Sequence, residues 1–277
     1  MRKMTLREIQ AVGLDIMKEI HSFCMENGIE YSLAYGSMIG AVRHKGYIPW
    51  DDDIDLWMTR PNFEKFNSTF QSTKGFRLMS VYDKDNYCNF TRIYETEKTH
   101  VIYPAKACPY DVGVWVDVFP IDGISDDLDT FKQDYAAIRT LGKRILKARY
   151  DMRFLERGNL YEKTRSVIKL LFKKIFLGGI SGMHKRIVDL CKTYSFEEST
   201  YCASLVCVEA IRNNKPEMFP TTDFSTYTLM PFESEMLMVS TQYDHILTTI
   251  FGDYMQIPPK EKQIAHALKN WQFYWKK

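Results

Sequence analysis

The first periodic stretch places Leu6, Ile9, Gly13, Ile16, Met17, Ile20, Phe23 and Cys24 on one helical stripe. Thr5 and Glu8 form a Thr-x-x-Glu capping box ahead of it, and Gly28 supplies a stop, which predicts a helix from about Thr5 to Asn27. The pattern then alternates over Ile29–Tyr35, predicting a strand broken by Gly36-Ser37. A short helix through Met38, Ile39, Ala41 and Val42 follows, as far as the basic run Arg43-His44-Lys45. Asp53 to Met58 reads as a strand, with Asp53 and Asp55 on one face and Ile54 and Leu56 on the other. Pro61 suits the first turn of a helix running to about Ser72.

Further strands are predicted at Phe76–Tyr82, Asn89–Tyr94, Val101–Tyr103 and Gly113–Phe119, the last closed by Pro120. From Asp126 to about Tyr194 the period is helical, with a loop near Gly158 and a break at Gly178-Gly179. Short strands at Leu205–Val208 and Glu235–Val239, a helix near Gln242–Phe251 and a corner at Pro258-Pro259 complete the pattern. Strands and helices in this order predict an α+β core with helical insertions and C-terminal helices. The expected division is a catalytic core at 1–125, a basic helical segment at 126–200, and a part at 201–277 that completes the same domain.

Composition supports a large buried core, with 45% hydrophobic and 14% aromatic residues in 277. A net charge of +2 says little, but its distribution says more. Between Leu141 and Arg186 there are thirteen Lys and Arg against three acids. Within that stretch Arg165, Lys169 and Lys173 fall on one helical face, and Ile168, Leu171, Phe172 and Ile175 on the other. Two readings stand: an apolar face packed on the core, or peripheral contact of residues 163–177 with an anionic membrane. The basic cluster lacks interleaved stacking aromatics, which argues against nucleic acid. The N-terminus has no signal-peptide pattern and no stretch is apolar enough to span a bilayer, so a cytoplasmic protein is expected, peripheral at most to the inner face of the membrane. The six cysteines contain no Cys-x-x-Cys pair and read as reduced thiols.

The chemistry concentrates in Asp51-Asp52-Asp53-Ile54-Asp55, set in apolar sequence. Carboxylates about 4 Å apart repel by roughly 4 kcal/mol per pair at an effective dielectric near 20, so they either face open water or hold a cation. Oxygen-only ligands favour magnesium, manganese or calcium over zinc; Mg²⁺ is the expected ion with Mn²⁺ as the alternative, and the spacing does not fit an EF-hand calcium loop. Gly36-Ser37, at a strand end opening a helix, can present N–H groups and a hydroxyl to a phosphate. Asp117 is a lone acid in an apolar strand, expensive to bury unless paired or on a metal, and is read as a third ligand or a general base. Three rival functions remain: a nucleotide-sugar glycosyltransferase using an Asp-x-Asp metal site, nucleotidyl transfer that keeps the nucleotide on the product, and a non-catalytic calcium-stabilised binding protein.

The run from Tyr31 through Gly36-Ser37, Arg43-His44-Lys45-Gly46 and Trp50 to Asp55-Leu56 resembles the signature of the LicD family. The likeness continues at Asp117-Val-Phe-Pro-Ile-Asp122 and from Phe251-Gly-Asp-Tyr-Met through Pro258-Pro259 to His266, while Leu128–Pro216 carries little of it. Ser37 stands where many members have Thr, and Ser240-Thr-Gln-Tyr-Asp lacks a proline common in them. The resemblance implies a nucleotidyltransferase-like mixed sheet and transfer of a phospho-alcohol, phosphocholine above all, from CDP-choline or a related CDP-alcohol. The implied acceptor is a hydroxyl of a cell-surface glycan (teichoic acid, lipopolysaccharide or capsule) or its lipid-linked precursor, with CMP released. It further implies Asp53, Asp55 and Asp117 as metal-binding and catalytic residues, and Gly36, Ser37, Arg43, Trp50 and His266 as substrate-binding residues.

Overall fold

A computed structural model describes the chain except for residues 84–85, 87, 103–110, 207–216 and 266–270, and describes the backbone alone at 149–157 and 176. The chain begins with β1 (Arg2–Lys3) and α1 (Leu6–Asn27), then β2 (Ser32–Leu33) and α2 (Tyr35–Ile39), which runs into a π-helical turn at Gly40–His44. Next come β3 (Asp55–Thr59), α3 (Arg60–Thr69), β4 (Arg77–Met79), β5 (Thr91–Glu95), β6 (Thr99–Ile102) and β7 (Val114–Gly123). The helices α4 (Leu128–Arg157), α5 (Leu160–Leu177) and α6 (Gly179–Cys191) pack on one another. The last part holds β8 (Tyr201–Ala203), β9 (Phe219–Pro220), the hairpin β10 (Tyr227–Phe232) and β11 (Glu235–Ser240), α7 (Tyr243–Phe251) and β12 (Gln272–Trp275).

The main sheet runs β2-β3-β7-β5-β4, with β8 and β9 extending from the end of β7. β3 and β7 are parallel, and the other pairs are antiparallel. A second sheet joins the termini in the order β1-β12-β6. This is the mixed α+β architecture that the sequence order predicts. β7 is buried along its whole length because strands flank it and α1 and α3 cover it.

α1 forms as its caps dictate. The Thr5 amide donates to Glu8 (2.8 Å), the Glu8 amide donates back to Thr5 Oγ1 (3.3 Å), and Gly28 closes the helix at φ 58°. Its buried stripe includes Ile9, Val12, Ile16, Met17, Ile20 and Cys24. The helical breaks at Gly158 and Gly178 also fall where expected, and Asn159 with Glu162 caps α5 by a second capping box.

Several expectations are corrected. Pro120 does not close β7, which continues to Gly123. Asp117 donates its amide to Ile54 on the β3 side, so alternation turns the Pro120 nitrogen to the opposite side. There β5 has already ended at Thr91↔Val118 and β8 begins only at Asp122, so no ladder bond is lost. The strand expected at Ile29–Tyr35 shortens to Ser32–Leu33, and Tyr35 already begins α2, which takes in Gly36 and Ser37. The strand expected at Leu205–Val208 lies at Tyr201–Ala203; Leu205 and Val206 form a buried apolar turn, and Val208 is outside the described residues. β10 and β12 are additions: β10 pairs with the adjacent β11 in a hairpin, whereas β12 depends on the distant β1 and β6.

Candidate active site

The site forms where three strands carry charge in one row. Asp55 on β3 lies opposite Asp117 on β7, and Asp117 lies opposite Arg92 on β5. Directly opposed residues share a sheet face, so acid, acid and guanidinium stand side by side. Arg92 grips Asp117 with two bonds, Nε to Oδ1 and Nη2 to Oδ2 (2.9 Å), while its guanidinium lies 4.7 Å from the Trp115 ring centroid.

The acidic loop enters β3 beside this row. The carboxylates of Asp51, Asp52 and Asp53 each offer an oxygen within 4.8 Å of the others. Burial pushes the Asp53 carboxyl well above its ordinary range, and the charges of Asp55, Asp51, Asp52 and Asp117 push it further. Asp55 is raised in the same way, by burial and then by Asp117 and Asp51, with Arg92 opposing. Asp117 is raised by burial although Arg92 pulls it down. Concentrated carboxylates whose charged forms are disfavoured, with only oxygen ligands, fit a hard divalent cation.

Gly36 and Ser37 meet this loop. The Asp55 amide donates to Ser37 Oγ (2.9 Å) and the Asp55 carbonyl accepts from the Ala34 amide (2.8 Å), so the start of α2 fixes both backbone groups of Asp55. A Cβ on Gly36 would lie 2.5 Å from Asp51 Oδ2, so any side chain there would displace the Asp51 carboxylate from its present place. Tyr35 just before it is left-handed, at φ 45°, held against Trp57 and Phe119 with ring centroids 4.6 and 6.0 Å away. Such a conformation costs on the order of 1–3 kcal/mol and persists only where surroundings impose it.

Supports reach the loop from elsewhere. Gln10 of α1 donates to the Asp51 carbonyl (2.7 Å), and the Tyr47 hydroxyl donates to the Gln10 carbonyl (2.8 Å). Glu233, in the β10–β11 turn, accepts the Tyr47 amide (3.0 Å). Arg43 donates to the carbonyls of Tyr254 and Gln256 (3.2 Å for the latter), tying the C-terminal segment to the π-helical turn. The half-buried Trp50 sits edge-on to His44, with centroids 6.3 Å apart. His266 lies outside the described residues.

The structure therefore brings together Gly36, Ser37, Asp53, Asp55 and Asp117, and puts Arg43 against the Tyr254 segment. The sequence reading missed Arg92, although an arginine inside a predicted strand carries the same signal as Asp117, a charge that needs a partner. Asp51 and Asp52 stand outside the implied metal-binding set of Asp53, Asp55 and Asp117, yet their oxygens cluster with Asp53. Gln10 left no sequence signal, since it lies on α1 some forty residues away. Asp122, five residues beyond Asp117, has a different partner: Arg60 Nε donates to it at 2.6 Å, in a buried pair at the end of β7.

The chain as a whole is similar to known proteins. The family described as LicD/FKTN/FKRP, nucleotidyltransferase domain, matches residues 28–157. An uncharacterized protein of Rickettsia prowazekii is 27% identical over 145 residues, 43% of this chain and 52% of that protein. The lipopolysaccharide cholinephosphotransferase LicD of Haemophilus influenzae is 30% identical over 274 residues, spanning 97% of this chain and 98% of its own length. With that match running through both proteins from end to end, the chain belongs to the LicD family.

Proposed function

We propose that this protein transfers phosphocholine, or a closely related phospho-alcohol, from a CDP-activated donor to a hydroxyl of a cell-surface glycan or its lipid-linked precursor, releasing CMP. The observation that carries the reading is the contact of Gly36–Ser37 with the Asp51–Asp55 acids, beside the Asp55–Asp117–Arg92 row. The end-to-end likeness to a protein named a lipopolysaccharide cholinephosphotransferase supports the substrate class.

Asp53 and Asp55, with Asp51 and Asp52 beside them, would hold a divalent cation, Mg²⁺ or alternatively Mn²⁺. Such an ion would neutralise the donor pyrophosphate, which otherwise could not approach so many carboxylates. Ser37 Oγ accepts the Asp55 amide, which leaves its own proton to donate to a phosphate oxygen. Arg43 uses Nη1 on two carbonyls and retains Nη2 donors for the departing phosphate. Arg92 holds Asp117 in one orientation, from which it either ligates the ion or takes the proton of the attacking hydroxyl. Trp50 adds an aromatic wall beside the acidic loop.

The decisive experiment incubates the protein with a panel of CDP-alcohols, Mg²⁺ and a glycan acceptor, and measures CMP. CMP release with one donor, lost in Asp53→Ala/Asp55→Ala, is the expected result. Equal behaviour of wild type and variant with every donor sinks the proposal.

A further inference from the structure

We propose that α5 is an interfacial helix that lays its outer apolar face on an anionic lipid bilayer. The helix holds on to α4 and α6 through a narrow side: Ser166 is buried, and Leu170 and Leu177 are partly buried against the core. Its wider apolar side faces away. Leu160, Ile168, Leu171, Phe172 and Ile175 are each 53–82% exposed. At about 100° per residue these five fill one arc of about 120°, opposite the side that packs. A contiguous apolar stripe of this kind on a water-facing helix marks a contact surface.

Charge selects the occupant. Lys163 and Lys174 border the stripe on one side, Arg165 and Lys169 on the other, and Glu162 is the sole acid of the helix. A second copy of the chain docked face to face would press these cations against their counterparts. Lipid phosphates just outside an apolar layer match both features at once, with the lysine and arginine stems reaching outward from the buried stripe. No helix among the described residues is long and apolar enough to cross a membrane, so the contact lies in the interfacial plane. The packed reading of this helix, in which the apolar face seals the core, does not hold for these five side chains.

Vesicle flotation tests the proposal without any donor or acceptor, and so independently of the reaction. The full chain should float with phosphatidylcholine vesicles containing phosphatidylglycerol, and at least about tenfold less with phosphatidylcholine alone or in high salt. Ile168→Ser/Leu171→Ser/Ile175→Ser should reduce flotation by a similar factor without lowering the melting temperature, and Lys163→Glu/Lys174→Glu should do the same. Failure of the wild type to float overturns the proposal, as does equal flotation of the apolar variant. A concentration-dependent dimer in light scattering, lost in the apolar variant while flotation is unchanged, assigns the face to a second copy instead.

Discussion

Replacing Asp53 by asparagine should stabilise the metal-free protein while abolishing its activity. Oxygens up to 4.8 Å apart in the Asp51–Asp53 cluster imply about 3–4 kcal/mol of repulsion per charged pair at an effective dielectric near 20. Protonation and partial exposure relieve much of this, leaving about 1–2 kcal/mol for Asp53→Asn to recover. In a protein of this size that raises the melting temperature by about 2–4 °C. The pH dependence has a definite sign. The Asp53 carboxyl is held well above its ordinary range in the fold, so as pH rises from that range the unfolded chain ionises first. Metal-free stability must then fall with rising pH across the window between the ordinary and the raised value, and Asp53→Asn should flatten the fall. Mg²⁺ binds the ionised form; at a hundred times its dissociation constant it should stabilise the wild type by about 2.7 kcal/mol and the variant much less. Thermal melts across pH, with and without Mg²⁺, read all of this. A variant that melts several degrees lower in the absence of metal, or responds equally to Mg²⁺, would refute the reasoning, because Asp53 would then be a satisfied structural carboxylate.

Other substitutions separate the site from its scaffold. Gly36→Ala would place a methyl 2.5 Å from Asp51 Oδ2 and so must push the Asp51 carboxylate aside, which should cut CMP release at least about tenfold while moving the melting temperature little. Unchanged turnover would mean that the Gly36–Asp51 approach is irrelevant to the reaction. Asp122→Ala removes the buried partner of Arg60 and leaves it only Glu64 (3.2 Å), so it should cost about 3 kcal/mol, the low end for a broken buried pair, read as a lower urea midpoint. Arg92→Leu removes the two bonds that hold Asp117, and should lower kcat far more than it raises KM for the donor. Glu19 accepts hydrogen bonds from Ser72, Thr73 and Lys74. Burial raises its pKa, but these bonds outweigh that and hold it below the ordinary range. Its stabilising effect is therefore present above the ordinary glutamate pKa and lost as pH falls through the depressed value. Glu19→Gln should make acid unfolding less steep, as followed by circular dichroism.

What could be read in the sequence divides along the distance over which each feature is determined. α1, the breaks at Gly158 and Gly178, and α7 are set by caps and periodicity within a few residues, and their limits emerge close to expectation. β12 is a short aromatic run made a strand only by β1 and β6, at the other end of the chain and near its middle. β7 crosses Pro120 because its neighbours exchange there, a fact about three other segments rather than about Val114–Gly123 itself. The same division runs through the site. Asp53 and Asp55 were legible because like charges crowded into apolar sequence are costly wherever the chain goes. Asp117 was legible for the same reason, but its partner was not, because the pairing with Arg92 exists only through the β5–β7 register. Shifting that register by one residue would turn Arg92 to the opposite face and leave Asp117 unpaired. The grip that fixes Asp117 is thus a product of strand pairing, and substitutions that disturb β5 should impair the site even where they touch no acid.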